Sequence, residues 1–398
     1  MNNARSARPL RAVATIVFLA LLAACSTPFS PPNILDPDTR FPGLIDLAAQ
    51  AQGHEADVLL VHGICTHDAR WAAQVVAQLA MQLKPSQTAP PAANAAPSAP
   101  AARQLLDAAP IEIVPSSVDT RAGRLRFNAL IWSPLTTPLK RQLCYDQTDK
   151  SDICTGAPPY PYQRPRLNAR FKDVLVDDCL PDALIYQGVA RDQIQLRMRD
   201  AILHVLADST APADLPLVVI AHSMGSKILF DTLLRMTQEA PDSRAAVTAR
   251  RLVDRLRFLV MAANQIPLLS LADQPLADQP LANQPLASTA PSTIATPAAP
   301  PDSLQQLLQQ RRPDPDRRQD GARLTLVAFT DPGDVLSYTL PPERYAGAGV
   351  AVFNILVSNA PTWLGLLERP DRAHLDYLAN PAVGRLIACG VPASALCK

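Results

Sequence analysis

Short apolar runs alternate with stretches of helical spacing along most of this chain, and few folds can bury that pattern. Val58–Val61 (VLLV), Leu217–Ala221 (LVVIA), Arg257–Ala262 (RFLVMA) and Arg323–Phe329 (RLTLVAF) read as strands covered on both sides. Arg124–Trp132 (RLRFNALIW) and Val350–Val357 add two more. Between them, Ala69–Lys84, Asp182–Ala207 and Met224 to about Gln238 have helical character, and a final helix follows His374. The expectation is an α/β fold with a mostly parallel central sheet and helices on both faces. Ligands bind such sheets at the carboxyl ends of the strands. Forty prolines exclude an all-helical bundle.

The charge balance narrows the partners. Thirty-seven basic residues face 36 acidic ones, a formal net charge of +1, so nothing favours nucleic acid. The most basic stretch, Arg311–Arg318 (RRPDPDRR), is interrupted by Asp and Pro and reads as a solvated loop. Three segments are of low complexity: 26–40, about 85–102, and about 270–302 with its repeated Leu-Ala-Asp-Gln-Pro. The first reads as a flexible tether and the others as expanded surface loops. What remains suits a single domain over residues 41–398.

The start of the chain reads as a targeting signal. Arg5, Arg8 and Arg11 precede an apolar run, Ala12–Ala24, too short to span a membrane as a mature helix. It ends in Leu22-Ala23-Ala24-Cys25, which resembles the bacterial lipobox. That resemblance implies removal of residues 1–24 and lipidation of Cys25. With Ser26 next, it implies anchoring in the outer membrane on the periplasmic side. The other six cysteines suit an oxidising compartment. Cys144–Cys154 and Cys389–Cys397 are the favoured local pairs, leaving Cys65–Cys179. No spacing suggests a zinc site, and HExxH is absent.

The most informative stretch is Leu217–Phe230, LVVIAHSMGSKILF. Ser223 stands between a strand and a helix with small residues, Ala221 and Gly225, two positions to either side. A chain reversing that sharply needs small flanks, and it presents the hydroxyl at a helix N-terminus. The segment resembles the nucleophile elbow of the α/β-hydrolase family, G-x-S-x-G, with Ala in place of the first Gly. That resemblance, which covers most of the chain from about Val58, implies the α/β-hydrolase fold and a triad in the order Ser, acid, His. His374 is the one histidine after Ser223. Asp334, ahead of Val335-Leu336, is favoured as the acid over Asp331, which precedes Pro332 and suits a turn cap. His222 reads as packing. The oxyanion donors implied are the backbone N–H groups of Met224 and of Ile64, with Cys65 the alternative, in the His62-Gly63-Ile64-Cys65 loop.

The reading that follows is a serine hydrolase acting on an acyl ester, with no metal or organic cofactor. Its rivals are a catalytically silent envelope scaffold and an acyltransferase using the same acyl-enzyme. Leu139–Leu180 is read either as a lid or as a disulfide-pinned loop. Asp173, Asp177, Asp178 and Asp182 are read as a solvated face. Trp132 and Trp363 are read as core packing in preference to an acyl pocket. Oligomeric state is left open.

Overall fold

The computed structural model describes residues 25–83, 111–148, 151, 153–155, 163–207, 215–274, 300–312, 323–347 and 349–397. The leader 1–24, the 85–102 insert, the basic residues from 313 to 318 and most of the 270–302 repeat lie outside the described residues.

Ten strands are present among the described residues: β1 Cys25–Ser26, β2 Asn33–Ile34, β3 Glu55–Val61, β4 Glu112–Thr120, β5 Gly123–Ile131, β6 Leu217–His222, β7 Leu256–Ala262, β8 Leu324–Thr330, β9 Val350–Leu356 and β10 Thr362–Trp363. Eight form one sheet in the order β2-β9-β8-β7-β6-β3-β5-β4. The six central strands run parallel, and the edge strands β2 and β4 run antiparallel to their neighbours. The α/β expectation holds, with a mostly parallel sheet.

Strand periodicity divides the core in two. Leu59, Val61, Val219, Ala221, Leu259 and Met261 face the helices Arg191–Ile202, Met224–Thr237 and Arg244–Arg255. Their sequence neighbours Val58, Leu60, Val218, Ile220, Phe258 and Val260 face Leu44–Gln50, Ala69–Leu83 and Pro381–Cys389. Strands covered on both sides show no polar alternation, which is why they were legible. Strand β4 (EIVPSSVDT) was not expected: it is an edge strand, where Pro115 and polar residues are tolerated.

Residues 25–41 differ from the free tether expected. Cys25 and Ser26 pair antiparallel with Trp363 and Thr362, and Asn33–Ile34 pairs with Leu356 and Ile355 of β9. Phe41 exchanges two backbone hydrogen bonds with Val391, at 2.8 and 2.9 Å. The open edge of β9 needs a partner, and apolar Ile34 packs onto the core there.

The cysteines pair as expected: Cys65–Cys179, Cys144–Cys154 and Cys389–Cys397. The first pins the 139–180 segment to the body, and the second closes a short loop within that segment. The aspartates of this segment are not a solvated face: Asp173, Asp177 and Asp182 are buried. Lys172 Nζ bonds both Asp177 oxygens at 2.9 and 3.0 Å. The fully buried Lys140 ammonium lies 2.8 Å from Asp178 and 3.1 Å from Asp182. Buried carboxylates persist when such partners compensate for lost water. Trp132 is buried, whereas Trp363 is half exposed and is no part of the core. Among the described residues no helix is long and apolar enough to cross a membrane.

Candidate active site

Strand β6 passes into the helix Met224–Thr237 through Ser223 alone. Ser223 has φ 52° and ψ −129°, a conformation that strains a residue bearing a Cβ. The turn brings neighbouring chains into contact. A Cβ on Gly225 would meet the His62 carbonyl oxygen at 2.2 Å, and one on Gly63 would meet Ser223 Cβ at 2.6 Å. Glycine is therefore a steric requirement at both positions.

The hydroxyl projected by this turn meets an imidazole from the far end of the chain. Ser223 Oγ lies 2.9 Å from His374 Nε2, and His374 Nδ1 lies 3.0 Å from each Asp334 carboxylate oxygen. All three side chains are buried. Asp334 also accepts the Leu336 N–H at 3.0 Å and the Tyr377 hydroxyl at 3.1 Å. Asp331 faces elsewhere: its oxygens accept the Gly333 N–H at 2.8 Å and the Asn359 N–H at 2.5 Å. Of the two candidate acids, Asp334 is the one that reaches the histidine, while Asp331 caps the turn.

His222 does more than pack. Its Nε2–H donates to the His374 carbonyl at 3.0 Å, holding the main chain behind the imidazole. Burial lowers its pKa to about 3, so the ring is neutral. Asn359 Nδ2 donates to the adjoining Ala373 carbonyl at 2.8 Å. Tyr377, three residues beyond His374, links the two aspartates: its oxygen accepts the Asp331 N–H at 2.7 Å and its proton goes to Asp334.

The loop after β3 lies against this centre. His62, neutral because burial holds its pKa well below the usual value, donates from Nδ1 to the Gly63 carbonyl at 2.8 Å. Its Nε2 accepts the Trp132 N–H at 2.9 Å, and its ring stacks on the Trp132 indole at 4.8 Å. The Cys65 N–H is bonded to Asp182 Oδ2 at 2.8 Å. With that amide engaged, Ile64 rather than Cys65 is the better candidate for a free donor in this loop. Asp178 fixes the next residue, accepting from Thr66 Oγ1 at 2.6 Å. Burial raises the Asp182 carboxyl to about 6 despite Lys140 beside it. His62 stands in the loop that the sequence singles out, whereas neither Lys140 nor Asp182 carries a sequence motif that announces a supporting role.

No protein-family model, curated protein or solved structure matches this chain. What the centre can do chemically follows from its own geometry. A hydroxyl sharing a proton with an imidazole, itself oriented by a carboxylate, is an activated nucleophile. Among the described residues, no cluster of three or more His, Cys, Asp or Glu side chains is arranged to hold a metal ion.

A second carboxyl pair adjoins the acid loop. Burial and the neighbouring Asp331 raise the Glu368 carboxyl from 4.5 to about 7, and burial also raises Asp331. Folded Glu368 thus keeps a proton that the unfolded chain has lost, so stability falls as pH rises from 4.5 to about 7. Glu368 is partly solvated, and screening reduces the penalty to about 1 kcal/mol. Glu368→Gln is expected to raise Tm by roughly 2–4 °C at pH 8. The gain should vanish below pH 4.5, where Glu368 is protonated in the folded and the unfolded chain alike, as thermal denaturation across pH will show.

Proposed function

We propose that this chain is a serine hydrolase of the α/β-hydrolase fold, lipid-anchored through Cys25 at the periplasmic face of the outer membrane, that cleaves a carboxylic ester. The observation that carries the hydrolase reading is the unbroken relay from Ser223 through His374 to Asp334, with contacts of 2.9 and 3.0 Å, mounted on a strained strand-to-helix turn.

Ser223 Oγ attacks the acyl carbonyl as His374 Nε2 takes its proton. Asp334 holds the Nδ1–H and stabilises the imidazolium that forms. The Met224 and Ile64 amides bind the oxyanion. His374 returns the proton to the departing alkoxide, leaving an acyl-enzyme, and water enters by the same steps to release the acid. An ester is favoured because folds of this kind host many esterases, which is an argument from analogy. The lipid anchor rests on the Leu22–Cys25 motif.

A fluorophosphonate probe tests the mechanism. The wild-type protein should be labelled at Ser223 and Ser223→Ala should not be. A folded wild-type protein that resists labelling would overturn the reading. Hydrolysis rates across esters of increasing acyl length, with Ser223→Ala as control, would then define the substrate.

A further inference from the structure

Between β9 and His374 the chain makes a tight hairpin, Thr362–Leu367, closed by the Trp363 N–H donating to the Leu367 carbonyl at 2.7 Å. Its side chains point out of the molecule: Trp363 is 49% exposed, Leu364 49%, Leu366 83% and Leu367 63%. Four large apolar residues within five positions are not the scattered exposure of an ordinary surface. Leu364 has φ 53°, a conformation that disfavours leucine, so an apolar tip is kept at the expense of strain. Glu368 follows, but its carboxylate turns inward, accepting the Ala360 N–H at 3.2 Å and the Thr362 hydroxyl at 3.3 Å. It fills the space left by Gly333 on the acid loop, where Val335 is also 76% exposed.

The partner of this hairpin is indicated by strand register. Cys25 lies opposite Trp363 and Ser26 opposite Thr362, so the residue at the end of the lipobox-like motif is paired directly with the apolar hairpin. A lipid anchor at Cys25 would therefore bring this hairpin, one strand spacing away, to the membrane surface. An indole flanked by leucines is the composition that settles at the boundary between headgroups and acyl chains.

We propose that the 362–367 hairpin inserts into the same phospholipid leaflet that holds the lipids of Cys25, giving the protein a second membrane contact next to the loop that carries Asp334. This rests on the lipid-anchor reading above, and the test separates the two. The full-length protein, purified from membranes, is reconstituted into phosphatidylethanolamine–phosphatidylglycerol vesicles with brominated acyl chains. Tryptophan emission should shift to the blue and be quenched. In Trp363→Phe, which keeps Trp71 and Trp132, both effects should be lost while fluorophosphonate labelling persists. Mass analysis of the N-terminal peptide reads lipidation separately. A lipidated protein with the same emission and quenching as Trp363→Phe overturns the proposal. An unlipidated protein that is still quenched supports hairpin insertion and removes only the anchor; one that is unquenched overturns both. A concentration-dependent blue shift without vesicles would assign the hairpin to a second copy of the chain and also overturn it.

Discussion

Replacing Asp334 with Asn is expected to lower kcat by about 10⁴ with little change in KM, the scale seen when a triad carboxylate becomes an amide. Both Asp334 oxygens lie 3.0 Å from His374 Nδ1. An amide nitrogen placed there donates to Nδ1 and drives the imidazole proton to Nε2. In that tautomer Nε2 cannot accept the Ser223 proton, and the imidazolium of the transition state loses its counter-charge. The Leu336 N–H bonds Oδ1 and the Tyr377 hydroxyl bonds Oδ2, so the amide keeps an acceptor for one of the two, and a modest fall in Tm should accompany the loss of kcat. Asp331→Asn is the matched control. It weakens the acceptor for the Asn359 N–H and should lower Tm, but with no contact to His374 it should alter kcat less than about tenfold. Steady-state hydrolysis of a short aryl ester by both variants decides the matter, and the opposite ranking would assign the acid to Asp331.

Opening the Cys65–Cys179 bridge is expected to lower both kcat and stability, by a different route. Cys65 adjoins Ile64, whose amide is the proposed second oxyanion donor, and the bridge ties that loop to a helix 114 residues away in sequence. Cys65→Ser combined with Cys179→Ser leaves the Cys65–Asp182 and Thr66–Asp178 hydrogen bonds to hold the loop. Losing one fixed oxyanion donor costs about 10²–10³ in kcat. A bridge closing so long a loop also contributes roughly 4–5 kcal/mol on the chain-entropy argument, so Tm should fall as well. Kinetics measured well below the variant's Tm separate the two losses. Cys389→Ser with Cys397→Ser is the control: that bridge spans 8 residues, and Cys389 packs on the other side of the sheet. It should leave kcat unchanged. Equal loss in both double variants would mean that the Cys65 bridge has no particular hold on the oxyanion loop.

What could be read from the sequence was what is local or ordered along the chain. Strands covered on both faces announce themselves as unbroken apolar runs, and Ser223 is marked by its small flanks and its place between strand and helix. His374 was found because the Ser–acid–His order left one histidine, and Asp334 by its spacing beyond β8. The supporting groups were hidden because their roles arise from distant contacts. His222 reads as a bystander until the fold brings the His374 carbonyl within 3.0 Å. Asp182 and Lys140, 42 residues apart, each look like a surface charge until burial pairs them. The partnership of Glu368 with Asp331 depends likewise on the hairpin folding back over Gly333. Strand β2 escaped notice because two residues show no periodicity, and a Pro-rich stretch can be laid against a sheet edge as readily as left free.

That docked stretch limits how far the domain could travel from an anchor at Cys25. A loose linker lets a domain explore a volume whose radius grows with the square root of linker length. Here the polypeptide from Cys25 to Phe41 is spent on pairing with β10, β9 and Val391, so almost no leash is left. A catalyst fastened at Cys25 in this way would work at arm's length from nothing: it would meet only molecules that share its leaflet or drift against it.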